Sequence, residues 1–119
     1  MTTINDALNQ LLAVDGSMAA ALVDSSSGML LGGVGTGIDL ELAAAGNTEV
    51  VRAKLKTAKS LGLADSIDDI LITLTTQIHI IRPLAQQPEV FFYFVLDRAK
   101  ANLALARMKV KEVEGGLQF

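Results

Sequence analysis

The sequence contains no cysteine, no tryptophan and a single histidine. Without cysteine there is neither a disulfide framework nor a thiolate metal site. With one histidine, His79, the usual catalytic zinc set of three protein ligands has nothing to draw on. The formal net charge is −3, so the chain lacks the basic excess that a nucleic-acid binder uses to displace counterions. Aromatics are scarce and are not interleaved with bases, which argues against stacking of single-stranded nucleotides. The longest strongly apolar run, Val90 to Leu96, is far too short to span a bilayer. Met1 to Asp15 has no basic start and no apolar core, so no secretory signal is read there. The expectation is a soluble cytoplasmic protein, one domain over residues 1–119, with no nucleic-acid partner, no membrane insertion and no cofactor.

What is present is apolar material. Half of the residues are hydrophobic, enough to build a core at this length. The mean hydropathy is positive, and a small domain cannot hide that much apolar surface alone. Part of it is therefore expected in an interface.

Periodicity divides the chain into eight elements. Thr3 to Val14 reads as a helix, with Ile4, Leu8, Leu11 and Leu12 on one face and Thr3 as its cap. Ser17–Asp24 and Met29–Val34 read as a hairpin around Ser25-Ser26-Ser27-Gly28. The first of these strands is apolar on both faces, so its sheet should be covered on both sides. Asp39 to Leu61 reads as a long helix, followed by strands over Ile67–Thr75, Gln77–Leu84 and Glu89–Leu96. A last helix runs from Arg98 to about Glu114, with Asp97 as its cap and Gly115-Gly116 as its stop. The order α-β-β-α-β-β-β-α implies an α+β fold: a five-stranded, mainly antiparallel sheet with helices on both faces.

The long helix carries two apolar stripes. One holds Leu40, Ala44, Val51, Leu55 and Ala58; the other holds Ala43, Gly46, Val50, Ala53 and Leu61. A polar seam of Asn47 and Lys54 separates them, and Glu41, Glu49, Arg52, Lys56 and Lys59 gather on a solvent face. A helix lying on one sheet needs one stripe. Two stripes imply either a second copy of the same helix or one broad groove within the chain.

Candidate catalytic patterns do not close. Gly32-Gly33-Val34-Gly35-Thr36-Gly37 has phosphate-loop spacing between Gly32 and Gly37, but Ile38 stands where the lysine must be. His79 has no second base beside it, so Ser25, Ser26 and Ser27 have no activator and read as turn residues. Asp68 and Asp69 would point to opposite faces of a strand. No catalytic or metal-binding set is assigned. An arginine finger, as GTPase activators use, is read as an unfavoured role for Arg52.

Three segments carry a resemblance. They are Asp69-Ile70-Leu71-Ile72-Thr73, then His79-Ile80-Ile81-Arg82-Pro83-Leu84, then Phe92-Tyr93-Phe94-Val95-Leu96-Asp97-Arg98 running into Ala101 through Arg107. Together with the opening from Gly16 to Gly28 they make the chain resemble the roadblock family, which includes dynein light chains and bacterial gliding-motility regulators. The short stand-alone bacterial members are the most similar. The resemblance implies a profilin- and longin-like fold and a homodimer joined through the third strand, with the central helices side by side. Carried over, the dimer interface is Asp69, Ile70, Leu71, Ile72 and Thr73 with Ala43, Val50, Ala53 and Leu61. It also implies a non-catalytic regulator or scaffold that binds a small Ras-like GTPase, for which Glu41, Glu49, Arg52, Lys56 and Lys59 are the nominated contacts. The alternative is a structural adaptor that dimerises a larger partner regardless of nucleotide.

Overall fold

The computed structural model describes residues 2–118. The elements are α1 (Ile4–Leu12), β1 (Ser17–Asp24), β2 (Met29–Gly35), α2 (Leu40–Ser60), β3 (Ile70–Thr73), β4 (Gln77–Pro83), β5 (Val90–Asp97) and α3 (Leu103–Gly116). The strands form one sheet in the order β2-β1-β5-β4-β3, and every neighbouring pair is antiparallel. The α+β architecture read from the sequence is the one observed.

The alternation of side chains across the strands sorts the core into two layers. Ala20, Leu22, Ile78, Ile80, Phe92, Phe94 and Leu96 face α1 and α3, where Leu8, Leu11, Ala106 and Val110 meet them. Ala19, Ala21, Val23, Ile81, Phe91, Tyr93 and Val95 face α2 and meet Ala44 and Val51. The central strands β1 and β5 are buried on both faces, as their unbroken apolar runs require. Phe91, Phe92 and Phe94 are wholly enclosed, and truncating any of them to alanine would cost about 3–5 kcal/mol.

Three element boundaries differ from the sequence reading, each for a tertiary reason. Asp97 does not cap α3. It is the last residue of β5, paired with Gln77, and it closes a turn in which the Ala99 amide donates to Oδ1 and the Ala101 amide to the carbonyl. The cap is Asn102, whose Oδ1 accepts from the Leu105 amide at 3.1 Å. That turn passes so close to Gly16 that a Cβ there would sit 2.8 Å from the Ala101 nitrogen. Gly115 and Gly116 do not stop α3; the helix runs through them because the Thr2 amide donates to the Gly116 carbonyl and Thr2 bridges to Leu117. Strand β3 has four residues rather than nine, since Leu74 turns back to bond Gln77 and residues 61–69 run outside the sheet.

Candidate interaction surface

Helix α2 begins with Asp39, whose carboxylate accepts from the Leu42 amide at 3.1 Å. It settles on β2 and β1 because the residues below it are small. Ala19 and Ala21 leave room, and at Gly33 a Cβ would come within 2.8 Å of Leu40. Ala44, Thr48 and Val51 are buried against the sheet, and Thr48 disposes of its hydroxyl on the Ala44 carbonyl at 2.8 Å.

The two stripes now separate. Leu40, Ala44 and Val51 face the sheet, joined by Ala43, which is half-buried in the same layer. Gly46, Val50, Ala53 and Leu61 face outwards, and Leu61 is 66% exposed. Leu42, 70% exposed, belongs with them, although neither stripe read from the sequence includes it. The single broad groove within the chain is therefore excluded, because one stripe is left bare. Beyond Val51 the helix lifts away, leaving Leu55 and nearly every later residue exposed.

The flanks of α2 face different parts of the sheet. On one flank, the Arg52 guanidinium donates to the carbonyls of Ser25 and Ser26 in the β1–β2 turn, at 2.7 and 3.0 Å. On the other flank, Asn47 lies near Tyr93 of β5, its Nδ2 donating to the Ala43 carbonyl of its own helix at 2.8 Å. The bare apolar stripe lies on Asn47's flank, towards β4 and β3.

Strand β3 is the edge on that side. Ile70 pairs with Ile81, Leu71 with Ile80, Ile72 with His79 and Thr73 with Ile78, without a break in register. Ile70 and Ile72 lean towards the α2 layer; Leu71 on the opposite face is 38% exposed. Among the described residues nothing pairs with the outer side of β3. Two arginines pin the chain just before it. Arg107 of α3 grips Asp69 through two bonds, at 2.7 and 3.2 Å, which raises the guanidinium's pKa. Arg82 of β4 donates to the Asp68 carbonyl at 3.2 Å and is itself ion-paired with Glu114.

The nominated charges Glu41, Glu49, Lys56 and Lys59 are all exposed on α2. Arg52 differs from them, being held by the turn carbonyls and lying 3.5 Å from Glu49. Acids occupy the first half of the helix and bases the second (Arg52, Lys54, Lys56 and Lys59), which suits the helix dipole.

A polar chain crosses the otherwise apolar floor between α2 and β3. The Tyr93 hydroxyl lies 3.1 Å from His79 Nδ1, and His79 Nε2 lies 2.8 Å from Gln77 Oε1. Burial lowers the pKa of His79 and raises that of Tyr93, the latter opposed by the nearby Asn47 amide. The alternation of Gln77 and His79 on one face of β4 was legible; their link to Tyr93 was not, because it joins β4 to β5.

The glycine-rich stretch has a packing role. A Cβ at Gly32 would meet Ile4 at 2.7 Å, and one at Gly35 would collide with the Met18 carbonyl. No group of three metal-ligating side chains occurs among the described residues.

No family model and no curated protein matches the sequence. Solved structures do match the fold. MglB of Myxococcus xanthus superposes with a TM-score of 0.82 at 20% identity, over 94% of this chain and 89% of its own. The chain has the roadblock fold. A roadblock/LC7 domain from Streptomyces avermitilis matches with a TM-score of 0.77 at 11% identity, over 90% and 87% of the two chains. The gliding protein MglB of Thermus thermophilus matches with 0.80 at 18%, over 93% and 82%. The roadblock architecture thus ends in the β3 edge on one side and carries α2 across the opposite half of the sheet.

Proposed function

We propose that this chain is a non-catalytic scaffold that pairs with a second copy of itself and regulates a small Ras-like GTPase. One observation carries the pairing: the open, uncharged edge of β3 and the bare stripe of α2 lie on the same side of the molecule. An unpaired apolar edge is an aggregation hazard unless something covers it. A two-fold copy covers both at once, with β3 against β3 and α2 against α2. Side by side about a two-fold axis the helices run antiparallel, which sets the acidic half of one opposite the basic half of the other. Gly46 and Ala53 allow close approach along that seam, while Ala43, expected there from the sequence, packs towards the sheet instead.

The GTPase part rests on the resemblance in the sequence and on the likeness of fold to MglB, a gliding protein by name. Paired helices would present Glu41, Glu49, Lys56 and Lys59 of both copies on one face, with Arg52 contributing less because it is tied to its own turn. Holding a switch segment in one of its conformations shifts an equilibrium that already exists, with no chemistry supplied by this chain.

The test is affinity capture from source-cell lysate with GDP and with a non-hydrolysable GTP analogue, followed by direct binding of the purified candidate. A small GTPase held at least about tenfold more tightly in one nucleotide state supports the regulator reading. A partner bound equally in both states, with no GTPase present, points to an adaptor instead.

A further inference from the structure

His79 stands on the floor that a second copy would cover, and it is only half-buried in the single chain. Its surroundings are apolar apart from one polar chain. From β4, Gln77 and Ile81 share its face; from β3, Ile72 is paired with it. From β5, Val95 lies beside it, Tyr93 bonds it with the rings edge to face at 5.3 Å, and Asp97 lies opposite Gln77 with Oδ1 taken by the Ala99 amide. From α2, Asn47 lies near Tyr93 with its Nδ2 donating to the Ala43 carbonyl at 2.8 Å, and Lys54 is the charged side chain of the helix on that flank. Among the described residues no carboxylate bonds the imidazole.

The hydrogen bonds suit a neutral ring. Gln77 Oε1 can only accept, so His79 Nε2 carries the proton and donates to it at 2.8 Å. Nδ1 of the neutral ring then accepts from the Tyr93 hydroxyl at 3.1 Å. Adding a proton at Nδ1 makes that nitrogen a donor. The Tyr93 hydroxyl must then turn its own proton elsewhere, and a full positive charge appears on an apolar floor. In the uncovered chain, water reaches the ring and relieves that charge; under a covering helix it cannot.

We propose that self-association through this face is gated by protonation of His79, the neutral imidazole permitting a second copy to cover it and the imidazolium opposing cover. The gate rests on the pairing reading above and adds its regulation. Its direction follows from burial. Burial holds His79 below its ordinary value of 6.5, and further burial lowers it more. Association therefore releases protons, is strongest above that ordinary value, and weakens as pH falls below it.

The experiment is the dimer dissociation constant of the full chain by sedimentation at about pH 8 and about pH 5.5, either side of the ordinary histidine range. The wild type is expected to dissociate more readily at the lower pH, by up to about a factor of ten per histidine for each unit of lowering between free and covered states. His79→Gln keeps a donor and an acceptor but cannot titrate, and its constant should change little between the two pH values. A second measurement does not depend on that variant folding. The His79 ring protons are titrated by NMR in the wild type and in the edge variant Leu71→Lys, with a lower midpoint expected in the associated wild type. Equal midpoints, or a wild-type constant unchanged with pH, overturn the gate while leaving the pairing intact. A wild type that is monomeric at every pH overturns the pairing itself, and the gate with it.

Discussion

The sheet has two edges, and they are built differently. Strand β2 at one end and β3 at the other both lack charge and proline, so neither is protected by the commonest devices. The difference is geometric. Opposite Leu22 and Val23, β2 carries an extra residue, Leu31, which makes a bulge. It is also clasped between layers, with Gly32 under Ile4 and Leu8 of α1 and Gly33 under Leu40 of α2. Strand β3 has a regular register, no bulge, no helix packed down over it and Leu71 open on its far face. An edge bent and clasped in this way is poorly shaped for addition of another strand, while a flat one accepts it. That contrast is what singles out β3, rather than β2, as the edge for the proposed pairing.

The most drastic way to break the contrast is to spoil the clasped edge. Gly35 has φ +97°, a conformation that side chains rarely adopt, and a Cβ there collides with the Met18 carbonyl and crowds Ala19. Gly35→Ala is expected to destabilise the fold by about 3 kcal/mol, read as a lower denaturant midpoint with an unchanged slope. A loss within a few tenths of a kcal/mol would mean that β2 yields easily and is not a rigid margin.

A sharper comparison places one charge on each edge in turn. Leu71→Lys on β3 and Leu31→Lys on β2 both replace exposed leucines, 38% and 41% exposed, so each should alter the stability of the single chain by no more than about 0.5 kcal/mol. Their effects on association should differ. Leu71→Lys should weaken self-association at least about tenfold, because two lysines would meet across a two-fold strand pair. Leu31→Lys should leave it unchanged. Analytical ultracentrifugation of the two variants decides the matter, and equal effects would remove β3 from its role.

These edges also show how much was legible beforehand. The element order, the strand layers and the two stripes of α2 follow from period and composition, since each depends on residues close in sequence. Which stripe is bare does not, because it depends on where α2 lies on the sheet, and that is set by the small residues of β1 and β2 beneath it. The cap at Asn102 could have been read, as an asparagine just before an apolar periodic run. The passage of α3 through Gly115 and Gly116 could not, since the bond from Thr2 supplies what those glycines lack locally. The same holds for the polar floor. Gln77 and His79 share a face by simple alternation, but only the fold brings Tyr93 and Asn47 to them.

The smallest expected effect concerns how the β3 edge is held. Nine residues, 61–69, link α2 to β3, and most are exposed. Two arginines tie the end of this link: Arg82 through the Asp68 carbonyl and Arg107 through the Asp69 carboxylate. Asp69 is 11% exposed at its side chain, while Arg107 remains 47% exposed, so solvent screens the pair and its worth to the single chain is small. Arg107→Ala should therefore change the stability of the single chain little. Its effect on association should be larger in proportion. Freed from Arg107, the residue just before β3 loses its fixed position, and the strand must be ordered again each time a second copy docks. A threefold or so rise in the dimer dissociation constant is the expected reading, reduced at high salt, where the wild-type pair is itself weakened. An association unchanged by Arg107→Ala would mean that β4 alone holds the edge in place, through the four pairs from Ile70–Ile81 to Thr73–Ile78.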